Sequence, residues 1–224
     1  LDERGRLYLY RYWLYEQQFT TALVTLGRSG AADIDRETLT RSLRRFFPDD
    51  PDGAINWQRI AALVAVYKRF CIISGGPGTG KTFTVARILA LLAEQSRTTA
   101  PSIAMAAPTG KAAARLTGMI RQMKEELDCD PGVKALIPGE ASTIHRLLGP
   151  VYGTRRFRFN ETNPLPHDIV IVDEASMIDL PLMAKLVAAL HEDSRLVLLG
   201  DKDQLASVEP GSGFRRRWRR GAVH

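Results

Sequence analysis

The run Gly75-Gly76-Pro77-Gly78-Thr79-Gly80-Lys81-Thr82 limits what this chain can fold into more than any other stretch. It fits G-x-x-x-x-G-K-[ST], a loop that holds the phosphates of a nucleoside triphosphate. Glycines let successive backbone N–H groups turn inward around phosphate oxygens, where Cβ atoms would block the turn. The apolar run from Phe70 to Ile73 before the loop predicts a strand. Val85, Ile88, Leu89 and Leu92 after it, at i, i+3, i+4 and i+7, predict a helix. That helix aims its positive N-terminal end at the same anion. The Lys81 ammonium is placed to reach the β- and γ-phosphates, and the Thr82 hydroxyl to ligate Mg²⁺. A strand-to-helix turn without a ligand needs neither Lys nor Thr at these positions.

A second strong signal is Asp168-Ile169-Val170-Ile171-Val172-Asp173-Glu174, a buried parallel strand ending in two carboxylates. Asp173 is the candidate Mg²⁺ ligand. Glu174 is the candidate group that orients or deprotonates the water attacking the γ-phosphate.

Two further strands end in polar turns. Ile103 to Ala107 runs into Pro108-Thr109-Gly110-Lys111, and a helix with Leu116, Met119, Ile120 and Met123 at helical spacing follows. Arg195 to Leu199 ends in Gly200-Asp201-Lys202-Asp203-Gln204-Leu205, where Gln204 is placed to contact the γ-phosphate. Ligands bind at the carboxyl ends of parallel strands, so Thr109 and Lys111 are candidates for holding a phosphate, although a surface Lys is the commoner explanation. Between the last two strands, Met183, Leu186, Val187 and Leu190 mark an amphipathic helix.

Upstream of the loop, a helix from Asn56 to Arg69 places Ile60, Leu63, Val64 and Tyr67 on one apolar face. Gln58 near its start reads either as an adenine-edge amide or as an exposed helical glutamine. The segment from Asp128 to Glu140 reads as a loop, after which Ser142 caps a short helix through Leu148. Thr143 and His145 lie in the first turn of that helix. The alternation Arg155-Arg156-Phe157-Arg158-Phe159 predicts a strand or hairpin arm. It suits single-stranded nucleic acid, and equally an edge strand protected by arginine.

Residues 1–50 predict a small helical domain. Helices are expected from about Trp13 to Leu26 and from Asp35 to Phe47, stopped by Pro48, with Asp49-Asp50-Pro51-Asp52-Gly53 as linker. Residues 51–212 form the nucleotide-binding unit. From Gly213 a basic tail begins with no apolar face to bury, and it is expected to be disordered or non-native. The net charge of +6 is mostly this tail, which holds Arg215, Arg216, Arg217, Arg219 and Arg220. No apolar run approaches the roughly 20 residues of a membrane span, and the first residues form no apolar signal segment. Cys71 and Cys129 have no ligand-like spacing and fit a reducing cytosol.

Taken together, these segments resemble the superfamily 1 DNA helicases. Within them the chain is most similar to the alpha subunits (RecD) of bacterial exodeoxyribonuclease V, the RecBCD helicase–nuclease. The resemblance covers about residues 1–212. It rests on LYLYRYWLYE, NWQ, ISGGPGTGKT, APTGKAAARL, STIHRLLG, NPLPHDIVIVDEASMID and LLGDKDQLASVEPG in that order.

It implies an α/β RecA-like P-loop NTPase domain with a parallel sheet flanked by helices, ATP and Mg²⁺ as cofactors, and 5′→3′ translocation on DNA in the cytoplasm. By resemblance Gln58 binds adenine, Gly75–Thr82 the triphosphate and Asp173 the Mg²⁺. Glu174 activates water, and Gln204 couples the γ-phosphate to DNA. Thr109, Lys111, Thr143 and His145 sit near the single strand. RecB and RecC are the implied partner chains, and DNA with free ends the implied substrate. The family carries a second RecA-like domain after these motifs, which this chain does not reach, so it reads as a fragment that binds nucleotide without unwinding DNA alone. The alternatives are a stand-alone RecD-like or relaxase-type helicase, and a nucleotide-binding interaction module without motor activity.

Overall fold

The computed structural model describes residues 9–28, 30, 34–48, 54–76, 81–95, 100–154 and 156–201; the side chains of Lys81 and Thr82 lie outside that description. In chain order the elements are α1 (Tyr10–Arg28), α2 (Arg36–Phe46), α3 (Trp57–Tyr67), β1 (Phe70–Ser74), α4 (Lys81–Gln95), β2 (Ile103–Ala107) and α5 (Gly110–Glu126). They continue with α6 (Pro131–Leu136), β3 (Ser142–Thr143), α7 (Ile144–Leu148), β4 (Ile169–Val172), a 3-10 turn (Ala175–Met177), α8 (Leu180–Ala188) and β5 (Arg195–Gly200).

The strands form one parallel sheet in the order β1-β5-β4-β2-β3. Parallel strands need crossovers, and the helices that supply them cover both faces. Successive side chains along a strand point to opposite faces. Cys71, Ile73, Met105, Ile169, Ile171, Val197 and Leu199 thus enter one core with α2, α3, α4, α5 and α6. Ala104, Ala106, Val170, Val172, Leu196 and Leu198 enter the other with α1, α7 and α8. This is the α/β architecture expected of a RecA-like domain.

Helix α4 is buried nearly all round. Ala86, Ala90, Leu91 and Ala93 are buried along with the predicted Val85, Ile88, Leu89 and Leu92. It packs against α2, α3, α5 and α6, so its alanines permit close approach on the sides away from the sheet.

Several expectations are corrected. The apolar face predicted for α3 is divided: Ile60, Val64 and Tyr67 are each about 40% exposed, Leu63 packs against the core, and Ala62, Ala65 and Val66 are buried. Small residues bring α3 close to α4 and β1, and bulk decides the inward face less than fit does. The expected loop at 128–140 contains α6, whose N-terminus is set by Asp130 accepting from the Gly132 N–H with Pro131 in the first turn. The cap of α7 is Thr143, not Ser142, because Ser142 and Thr143 add to the sheet edge beside β2.

The helices of residues 1–50 share no core of their own among the described residues. Phe19 and Leu26 of α1 join the core under α8, and Leu39, Leu43, Phe46 and Phe47 join the core under α4 on the opposite face. No helix among the described residues is long and apolar enough to cross a membrane.

Candidate functional site

Every strand of a parallel sheet delivers its carboxyl end to the same edge, and the following helix begins there with its N–H groups unpaired. Three such helices matter. α4 starts at Lys81 beyond the phosphate loop. α5 is capped by Thr109, whose Oγ1 accepts from the Ala112 N–H at 3.1 Å. α7 is capped by Thr143, whose Oγ1 accepts from the Arg146 N–H at 3.2 Å. Ala107 and Thr143 are partners in register, so the caps of α5 and α7 lie on adjacent strands. Both threonines are therefore first of all helix caps, and each keeps a hydroxyl hydrogen for a further acceptor. Lys111 is exposed in the first turn of α5. His145 is exposed and packs its ring edge-on to Phe157 at 5.7 Å.

The other half of the edge gathers the nucleotide candidates. The Gly75 N–H donates to the Gly200 carbonyl at 3.3 Å, which joins the start of the phosphate loop to the end of β5. Asp201 follows Gly200 and is buried. On the far side of β5, the Asp173 N–H donates to the Ala106 carbonyl, and the Glu174 N–H donates to Asp173 Oδ1 at 2.8 Å. Glu174 has φ 52°, a left-handed conformation that costs a non-glycine residue on the order of 1–2 kcal/mol. Strain of this kind aims a side chain, and the 3-10 turn that follows fixes it. The Ser176 hydroxyl in that turn is buried with no partner among the described residues, and a Cβ at Gly200 would lie 3.8 Å from it.

Gln58 lies in the first turn of α3, two residues after the Asn56 cap, and is half-buried.

Gly75, Gly76, Asp173, Glu174, Thr109, Lys111, Thr143 and His145 lie at or just after the carboxyl ends of strands of this sheet, whereas Gln58 lies in the first turn of α3. Pro77, Gly78, Thr79, Gly80 and Gln204 lie outside the described residues. Arg115 was not among the residues singled out by motif. Its Nη1 stands 3.8 Å from Glu174 Oε1, and its side chain is 71% exposed against 26% for the glutamate. The one signal for it in the sequence is its place four residues after Lys111, which puts both cations on one helical face.

A family model described as an AAA domain matches residues 58–210. The chain belongs to the AAA domain family. It is 47% identical over 212 residues to the RecBCD enzyme subunit RecD of Mycolicibacterium smegmatis, covering 92% of this chain and 36% of that one. It is 33% identical over 210 residues to the ATP-dependent RecD2 DNA helicase of Deinococcus radiodurans, covering 92% of this chain and 25% of that one. The chain therefore spans about a third of the length of the RecD relatives it matches. Among solved structures, T4 UvsW superposes with a TM-score of 0.50 at 10% identity, over 75% of this chain and 35% of that one, a likeness of fold.

Proposed function

We propose that the carboxyl edge of the sheet is the ATP–Mg²⁺ site of a RecD-type superfamily 1 DNA helicase, with this chain as its first motor domain. The strand order carries the reading. β5 lies between β1 and β4, so the end of β1 at Gly75 and the end of β4 at Asp173 stand two strand spacings apart, about 10 Å. A triphosphate with its cation fills such a span. The donor set suits Mg²⁺, because the Asp173 carboxylate and the Thr82 hydroxyl are hard oxygen ligands.

In this reading Gly75 to Thr82 hold the phosphates and Gln58 reads the adenine edge. Lys81 neutralises charge on the β- and γ-phosphates, and Glu174 orients and deprotonates the attacking water. Gln204 follows β5 and links the γ-phosphate to the strand. Thr109, Lys111, Thr143 and His145 face single-stranded DNA from the adjacent edge. The whole protein's partners in this reading are RecB and RecC, with end-bearing duplex DNA as substrate. Residues 1–50 are the partner-facing unit, supported by the exposed, stacked Tyr10 and Trp13 at 5.8 Å. The higher identity to the RecBCD subunit than to RecD2 favours a complex subunit over a stand-alone helicase.

The test is titration with a fluorescent ATP analogue. Lys81→Ala removes a charge-assisted contact of about 2–3 kcal/mol and should lower affinity on the order of a hundredfold. Equal binding by wild type and variant would refute the assignment.

A further inference from the structure

We propose that the exposed face of α2 holds the phosphate backbone of duplex DNA, as a surface separate from the single-strand candidates. The inference rests on the proposed helicase reading only for the choice of DNA as the polyanion. Arg36, Glu37, Thr40, Arg41, Arg44 and Arg45 are the exposed residues of this helix. Four of these six are arginine and none is lysine. A guanidinium fork grips a phosphate through two hydrogen bonds, where an ammonium offers a point charge. Arg41 and Arg44, three residues apart, are neighbours on the helix surface and line an open hollow with Thr40.

The arginines differ in freedom. Arg45 belongs to the fold, since it pairs with Glu94 of α4 and lies over the Phe46 ring. Arg41 makes one exposed bond, to the Thr38 hydroxyl at 3.2 Å. Arg36 and Arg44 have no hydrogen bond or ion pair among the described residues. The helix beneath them is fixed: Leu39, Leu43, Phe46 and Phe47 enter the core, the Ser42 hydroxyl donates to Glu94, and the Asp35 N–H donates to Gln95 Oε1 at 3.0 Å. Binding therefore orders no backbone.

What the face lacks points to its partner. None of its exposed residues is apolar or aromatic. Protein partners are held mainly by apolar and aromatic anchors at the centre of an interface, and single strands by bases stacked on aromatic rings. Neither finds a hold here. A duplex backbone needs only cations and hydrogen-bond donors. The surface is also apart from the other candidate sites. α2 meets α4 through Glu94 and Gln95, at the end of that helix away from the phosphate loop. It lies on the opposite face of the sheet from α1, which carries Tyr10 and Trp13.

The experiment compares a blunt fluorescent duplex with a fluorescent oligothymidylate, each bound to the full chain at low salt. Arg41→Gln with Arg44→Gln should weaken duplex binding about three- to tenfold, the range of two exposed ion pairs. Its salt slope should fall by about 1.8, two phosphate contacts at about 0.9 each. Oligothymidylate affinity should stay near wild type. Arg41→Lys with Arg44→Lys should keep the salt slope and lose part of the affinity, and Glu37→Gln should raise duplex affinity. The arginines of residues 215–220 are present in every variant and cancel in the comparison. Duplex binding unchanged by the glutamines would overturn the proposal and leave the face to an acidic protein surface. An equal loss for both probes would overturn it as a general charge effect. An ATP analogue titrated on the wild-type protein separates the failures: bound analogue with unchanged duplex binding refutes the α2 surface alone, whereas no bound analogue refutes the ATP site while a selective duplex loss still upholds the surface.

Discussion

Arg195 opens β5, and its guanidinium is buried against the end of α3. One nitrogen, Nη1, donates to the carbonyls of Ala65, Val66 and Lys68, with Val66 at 3.0 Å. These carbonyls belong to the last turn of the helix and its cap, which have no partners within the helix. Arg195→Met keeps the aliphatic stem and removes the donor. The Lys68 carbonyl is exposed and takes water instead, while the two part-buried acceptors, Ala65 and Val66, lose their partner at about 1–2 kcal/mol each, for a loss of about 2–4 kcal/mol. The opposing contribution is desolvation, which lowers the Arg195 pKa to about 10 and is relieved by methionine. The net expectation is a loss of about 2–3 kcal/mol, or a fall in Tm of roughly 4–12 °C for a domain of this size. Urea and thermal unfolding followed by circular dichroism measure both. Because α3 carries Gln58, the proposed adenine contact, affinity for an ATP analogue should fall modestly while the fold persists. A variant within about 0.5 kcal/mol of wild type would show that desolvation cancels the three bonds, and that α3 is held by packing alone.

The remaining predictions concern the site and the core. Asp173→Asn should abolish most of the gain in ATP-analogue affinity on adding Mg²⁺ while leaving metal-free binding close to wild type; an undiminished Mg²⁺ effect would move the cation to another carboxylate. Cys71 is buried in β1 and desolvation raises its thiol pKa from 9.0 to about 11, so it should resist maleimide at pH 8 until the protein unfolds, with rapid labelling of the native state refuting the burial. A raised folded pKa favours the protonated form. The contribution of Cys71 to stability should therefore be complete below about pH 9 and lost as the pH rises towards about 11, measurable against Cys71→Ala.

The phosphate loop, the strand ending in Asp173-Glu174 and the helices around them are legible in the chain because each is a local pattern. Glycine spacing, an apolar run and a 3.6-residue period are written within a dozen residues. What lies between them is not local. No periodicity states that β5 inserts between β1 and β4, yet that order brings Gly75 against Gly200 and sets Asp173 two strands away. The outward turn of Ile60, Val64 and Tyr67 follows from the same limit: a pattern marks a face as apolar, and only the neighbours decide whether a smaller face fits better. Likewise the helices of residues 1–50 read as one unit in sequence, while packing divides α1 and α2 between opposite faces of the sheet. The meeting of Arg115 with Glu174 joins the helix after one strand to the turn after another. Sequence fixes the chemistry carried to the edge, because residue type and local spacing are properties of the chain. Tertiary structure decides which groups face one another there, because strand order and helix packing minimise exposed area over the whole molecule at once.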